Sequence, residues 1–139
     1  MKILQIIAYH EPKFNDLGII KNGFKTKIVP SLMNDPDNYT PPNEMFCLSL
    51  LICFYKTMKK YLSTKGIIEE ISIKISCSSH KDKEGLYFKI DLLCGITNFD
   101  LLETQKIINF IHSKCPISRM LNNYPHFTLS SISYDEIMK

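Results

Sequence analysis

The five cysteines are the residues whose chemistry this sequence could use, and Cys115 raises the first question. Cys115 lies in "HSKCPISRML", residues 112–121, directly before a proline. Proline suits the first position of a helix, where its missing N–H would have had no partner. The pattern therefore predicts Cys115 as the N-cap of a short helix, its sulfur beside unpaired N–H groups and the positive end of the helix dipole. That setting lowers a thiol pKa and favours the nucleophilic thiolate. The alternative is a buried, inert cysteine at a helix boundary. Cys53 sits inside "PNEMFCLSLLICFY", and taken alone it reads as a core residue. A competing constellation is Cys77-x-x-His80 with His112-x-x-Cys115, two cysteines and two histidines of the types that hold zinc. Cys77 fits equally as the inward end of a strand and His80 as a turn residue. Cys47 and Cys94 read as core, and His126 as structural.

These residues need elements to hold them. "KILQIIAY" and "LGIIKNGFKTKIV" read as short strands, with a loop through Glu11–Asp16 between them and an Asn-Gly turn inside the second. "PSLMNDPDNYTPP" reads as a loop. From Asn43 to about Ser63 the pattern is helical, with Met45, Phe46, Leu48, Leu50, Leu51, Ile52, Phe54 and Tyr55 covering every face of the early turns. A helix apolar all round is expected to be buried all round. Lys56, Lys59 and Lys60 mark its emergence into solvent, and Gly66 the turn away. Ile71, Ile73, Ile75 and Cys77 alternate with polar residues, and Leu86, Phe88, Ile90, Leu92 and Cys94 repeat the alternation after "HKDKEG". That predicts an antiparallel hairpin. Asp100 and Glu103 form a capping-box pair opening a helix to about Lys114, and "HFTLSSISY" reads as a final strand.

Composition narrows the class. The chain has 139 residues, of which 45% are hydrophobic and 22% charged. Such a chain suits one globular domain, read as 1–139 without a boundary. A net charge of +3 spread along the chain gives no argument for nucleic acid. The apolar run "MFCLSLLICFY" falls short of the roughly 20 residues a bilayer span needs, and the N-terminus lacks a signal-peptide pattern. The expectation is a cytoplasmic protein whose five cysteines are mostly free thiols.

The segment running from Pro42 through an acidic residue and an apolar helix to Cys53-Phe54 resembles the OsmC/Ohr family of thiol peroxidases. The hairpin, the helix and Cys115-Pro-Ile-Ser-Arg resemble that family's Cys-Pro-Val-Ser segment, in matching order over about the last hundred residues. The resemblance implies an α+β, OsmC-like fold: antiparallel sheets wrapped around a central buried helix, in an intertwined homodimer with its sites at the interface. It implies that Cys53 attacks an organic hydroperoxide and becomes a sulfenic acid. Cys115 then resolves it as a disulfide, which a dithiol or lipoyl-type reductant reopens. No metal or cofactor is implied, both redox equivalents residing on sulfur.

The sequence departs from that pattern. The family's active enzymes steady the thiolate with an arginine from an early loop and a glutamate before the cysteine helix. Here Arg119 is the only arginine, so Lys13, His10, Lys56 or nothing takes the place of the early-loop arginine. The usual glutamate position is Asn43, with Glu44 beside it as the remaining candidate. On a regular helix Glu44 and Cys53 lie about 180° apart, so Glu44 serves this site through an irregular helix start or serves the partner's site. The rival reading is an OsmC-like dimer of weakened activity that binds a small apolar or thiol ligand.

Overall fold

The computed structural model describes residues 5–28 and 41–137. The loop expected over residues 30–42 lies almost wholly outside them, as does the start of the first expected strand. The chain forms two compact units, Met1–Met45 and Phe46–Lys139.

The first unit holds a small antiparallel sheet in the order β1 (Ala8–Tyr9), β2 (Leu17–Ile20) and β3 (Lys25–Lys27). The Lys-Asn-Gly segment makes the expected hairpin turn between β2 and β3. Asn22 takes the left-handed conformation, φ 59°, which asparagine tolerates better than most residues. The turn is closed by Gly23 N–H donating to the Ile20 carbonyl at 2.8 Å. The loop before β2 carries a 3₁₀ turn at Pro12–Phe14.

Helix α1 runs from Pro42 to Thr64. It ends in a Schellman arrangement, with Ile67 N–H reaching the Leu62 carbonyl at 2.9 Å and Gly66 N–H the Ser63 carbonyl at 3.1 Å. Gly66 supplies a positive φ of 70°, which this closure requires. Strands β4 (Ile71–Asp82) and β5 (Gly85–Ile96) form the long antiparallel hairpin, pairing Ile71 with Ile96 and Cys77 with Ile90. Both strands run further than the sequence pattern suggests, and the turn shrinks to Lys83–Glu84.

Helix α2 (Leu101–Lys114) begins with the expected capping box: Asp100 accepts from Glu103 N–H at 2.7 Å, and the Glu103 carboxylate accepts from Asp100 N–H. After a 3₁₀ turn at Ser118–Leu121, β6 (Phe127–Ser131) joins the sheet beside β5, giving the order β4-β5-β6. The β5–β6 pairing is parallel, Ile90 beside Phe127 and Cys94 beside Ser131. Here the expectation of antiparallel sheets gives way. The connection through α2 carries the chain back to the end of the sheet where β5 began, and such a crossover delivers a parallel neighbour.

The core of this second unit lies between helices and sheet. On β5 the period-two row Ile90, Leu92, Cys94 and Ile96 is buried. It meets Leu50, Phe54, Met58 and Leu62 of α1 and Ile108 and Ile111 of α2 in one cluster that also includes Cys115. The α1 residues recur every four positions, so a single stripe of the helix is covered. The expectation of a helix buried all round is corrected for the single chain: Leu48, Ile52 and Tyr55 are 57%, 54% and 41% exposed. Period alone cannot say which side of an evenly apolar helix meets the sheet.

Candidate active site

Cys53 sits at the edge of the buried stripe of α1, one residue before the fully buried Phe54 and three after Leu50. These neighbours fix its helical turn against the core and leave the sulfur half-buried. Cys115 closes α2 from the opposite direction. Its N–H still donates to the Ile111 carbonyl at 2.8 Å. Its ψ of 119° is extended, however, and the helix stops there. Pro116 explains the stop, since a proline pushes the preceding residue out of the helical region. The two thiols, 62 residues apart in sequence, meet with Cys115 Sγ donating to Cys53 Sγ across 3.0 Å. A disulfide bond is about 2.0 Å long, so the pair stands within a small side-chain rotation of bonding.

The local setting of Cys115 differs in part from the sequence expectation. It is the C-cap of α2, and the following 3₁₀ turn has Ile117 at its N-cap. The sulfur nevertheless accepts from Ser118 N–H at 3.4 Å, and the Cys115 carbonyl accepts from Arg119 N–H at 3.0 Å. The thiol pKa is raised rather than lowered: burial pushes it up first and the hydrogen bond with Cys53 adds to the rise, while N–H groups of Ser118 and Ile117 pull the other way. A single short 3₁₀ turn offers little dipole, and the C-terminus of α2 presents its negative end to the sulfur. Burial wins, and Cys115 holds its proton.

Two further residues support this turn. Ser118 is fully buried, and its hydroxyl pairs with His112 Nδ1 at 2.6 Å. The imidazole of α2 thereby anchors the residue whose N–H faces Cys115. Only the Ser of Cys-Pro-Ile-Ser marked this position in the sequence, and nothing there paired it with His112.

The candidate zinc set does not converge. His112 is engaged with Ser118, while His80 pairs with Ser78 Oγ at 2.8 Å and stacks on Tyr87. Among the described residues no group of three or more His, Cys, Asp or Glu could hold a metal ion. Cys94 is core as expected, its thiol donating to Met58 Sδ at 3.8 Å. Arg119 is exposed, as is Lys56 one turn beyond Cys53 on α1. Glu44 is exposed in the first turn of a helix that is continuous from Pro42, so it stands about 180° around the axis from Cys53. Within the first unit, His10 Nε2 pairs with the Asn15 carbonyl at 2.9 Å and the Lys13 ammonium lies over the Phe14 ring at 5.6 Å.

The family model described as OsmC-like protein matches residues 35–130, a span that contains both cysteines and the elements between them. The chain belongs to the OsmC-like protein family. Solved structures share the fold. A protein from Lactobacillus casei superposes with a TM-score of 0.80 at 20% identity, over 96% of this chain and 93% of that one. An organic hydroperoxide resistance protein from Elizabethkingia anophelis, with thiocyanate bound, gives 0.75 at 19% identity over 94% and 99%. The organic hydroperoxide resistance protein OsmC from Legionella pneumophila gives 0.73 at 18% identity over 96% and 99%. No curated protein sequence matches the chain. Among the described residues no helix is long and apolar enough to cross a membrane.

The buried thiols tie stability to alkaline pH. Burial raises Cys94 from an ordinary 9.0 to about 12, so the folded state holds this proton more tightly than the unfolded chain. Between pH 9 and 12 the unfolded chain has released it and the folded protein has not, so the contribution is complete below 9 and lost as pH rises. Chemical denaturation across that range should show Cys94→Ala losing less stability per pH unit than the native chain. The slopes should differ by up to about 1.4 kcal/mol per unit. Equal slopes would contradict the burial of this thiol.

Proposed function

We propose that the protein is a thiol-dependent peroxidase that reduces organic hydroperoxides, with Cys53 as the attacking sulfur and Cys115 as the resolving one. The observation that carries this reading is the 3.0 Å approach of the two sulfurs. Cys115 donates its S–H toward Cys53. Of the two sulfurs, Cys53 is also the one with solvent access. Its thiolate attacks the outer oxygen of the hydroperoxide and the O–O bond breaks. The alkoxide leaves as alcohol after taking a proton, and Cys53 becomes a sulfenic acid. Cys115 then attacks that sulfur, the S–O bond breaks, and water departs with the Cys115 proton. A dithiol or lipoyl-type reductant restores both thiols by exchange. The electrons pass between sulfurs and oxygen, and the cycle needs no metal or cofactor. Family membership supports a cytoplasmic role in handling peroxides.

The same reading makes the protein a single domain that works as a homodimer. Leu48, Ile52 and Tyr55 form an apolar strip on α1 away from the core, and a second copy is the natural cover for it. With α1 regular from its start, Glu44 would act on the partner's site. The sequence offers Lys13, His10, Lys56 or nothing in place of the early-loop arginine, and a lysine lacks the planar fork of arginine. Turnover is therefore expected to be slow. The alternative of a ligand-binding dimer has no use for two sulfurs in hydrogen-bonding contact.

Steady-state assays with an organic hydroperoxide and a dithiol reductant test the reading. Cys53→Ser should lower turnover by more than about 10²-fold, while Cys115→Ser should consume one equivalent and stop as a dimedone-trappable sulfenic acid. Near-native turnover in Cys53→Ser would overturn the assignment. Sedimentation at low micromolar concentration tests the assembly: a dimer is expected, and Ile52→Lys should weaken it. A well-folded native monomer would remove the dimer.

A further inference from the structure

The turn that follows Cys115 is tied to the helix that precedes it. Pro116 has no N–H to offer. Arg119 N–H donates to the Cys115 carbonyl at 3.0 Å and Met120 N–H to the Ile117 carbonyl at 3.1 Å. Ser118 N–H goes to Cys115 Sγ instead, at 3.4 Å. The Ser118 side chain is fully buried, and its hydroxyl meets His112 Nδ1 at 2.6 Å. His112 stands three residues before Cys115, adjacent to it on the helix surface. The imidazole is half-buried, its ring 5.6 Å from that of Phe127 in β6. A buried hydroxyl deprived of its partner is costly and turns to find another. The N–H of the same residue turns with it.

We propose that His112 is a positioning residue for the resolving step: acting through Ser118, it aims the Ser118 N–H at Cys115 Sγ and so sets the rate at which Cys115 closes the disulfide with an oxidised Cys53. The proposal rests on the peroxidase reading above. In that step Cys115 Sγ gives up its proton and attacks the sulfur of the Cys53 sulfenic acid. The S–S bond forms, the S–O bond breaks, and the oxygen leaves as water with that proton. Negative charge gathers on Cys115 Sγ as the proton departs, and an N–H already aimed at the sulfur stabilises it. Burial holds the Cys115 proton in place, so this is the step where such help counts. The imidazole takes no proton in it.

Two replacements separate aiming from packing. His112→Asn offers an amide oxygen or nitrogen at the place of Nδ1 and gives up the bulk against Phe127. His112→Phe keeps the bulk and gives up the hydrogen bond. Reduced protein is mixed with one equivalent of organic hydroperoxide and quenched over time, and its sulfenic acid and disulfide forms are followed by mass spectrometry. First-order closure should slow by about fivefold or more in His112→Phe and in Ser118→Ala, and by less than about twofold in His112→Asn. The double variant His112→Phe, Ser118→Ala should close no more slowly than the slower single variant. A packing role gives the reverse order, with His112→Asn slower than His112→Phe, and would overturn the proposal. Additive losses, or closure within about twofold of native in both His112→Phe and Ser118→Ala, would overturn it too. If circular dichroism shows that His112→Phe does not fold, Ser118→Ala, which removes a single oxygen, takes its place against His112→Asn. Oxidised glutathione starts the same closure without peroxide: Cys53 forms a mixed disulfide, and Cys115 displaces glutathione as its thiol. A native chain that consumes no hydroperoxide yet closes there in the expected order ends the peroxidase reading and upholds the role of His112. Peroxide consumption with closure indifferent to His112 overturns that role and leaves the peroxidase reading standing.

Discussion

The site depends on the burial of one row of β5, namely Ile90, Leu92, Cys94 and Ile96. Alternation along the strand puts all four on one face, and α1 and α2 both rest on that face. Each helix has its rotation set by the residues it commits to the row: Leu50, Phe54, Met58 and Leu62 from α1, Ile108 and Ile111 from α2. Once those rotations are fixed, Cys53 and Cys115 have little freedom to avoid each other. Each fully buried Leu, Ile or Phe in that interface contributes about 1.5–3 kcal/mol. The sulfur contact is therefore a consequence of packing, held by far more free energy than one thiol hydrogen bond could supply.

Packing also sets the electrostatics. The same enclosure that brings Cys115 against Cys53 removes its sulfur from water, and that outweighs the two N–H groups directed at it. In the proposed mechanism, a neutral, hydrogen-donating Cys115 would suit a sulfur that waits until its neighbour has been oxidised. The pair Ser118–His112 holds the turn that places those N–H groups. The early loop of this chain, Glu11–Asp16, contains Lys13 and no arginine.

Much of this was legible where a signal was local. Asp100 and Glu103 announced the start of α2, Asn22-Gly23 announced a hairpin, and alternation from Ile71 to Cys94 announced β4 and β5. What failed was long-range or directional. A strand's sequence does not record its partner's direction, so the parallel seat of β6 followed only from the crossover through α2. An evenly apolar α1 does not say which stripe meets the sheet. The Cys-Pro step correctly marked a helix boundary, but proline ends one helix as readily as it begins the next, so Cys115 came out as a C-cap. Its pKa direction runs against the sequence expectation for a related reason: dipole arguments are visible in sequence, whereas burial is not.

The central claim is that the Cys53–Cys115 contact is a redox couple and not a packing accident. Mass-spectrometric peptide mapping after one equivalent of organic hydroperoxide per chain addresses it directly. The account predicts one disulfide joining Cys53 to Cys115 within a single chain, formed in nearly stoichiometric yield and reversed by a dithiol. Recovery of both residues as free thiols, or sulfur oxidation confined to other cysteines, would contradict it.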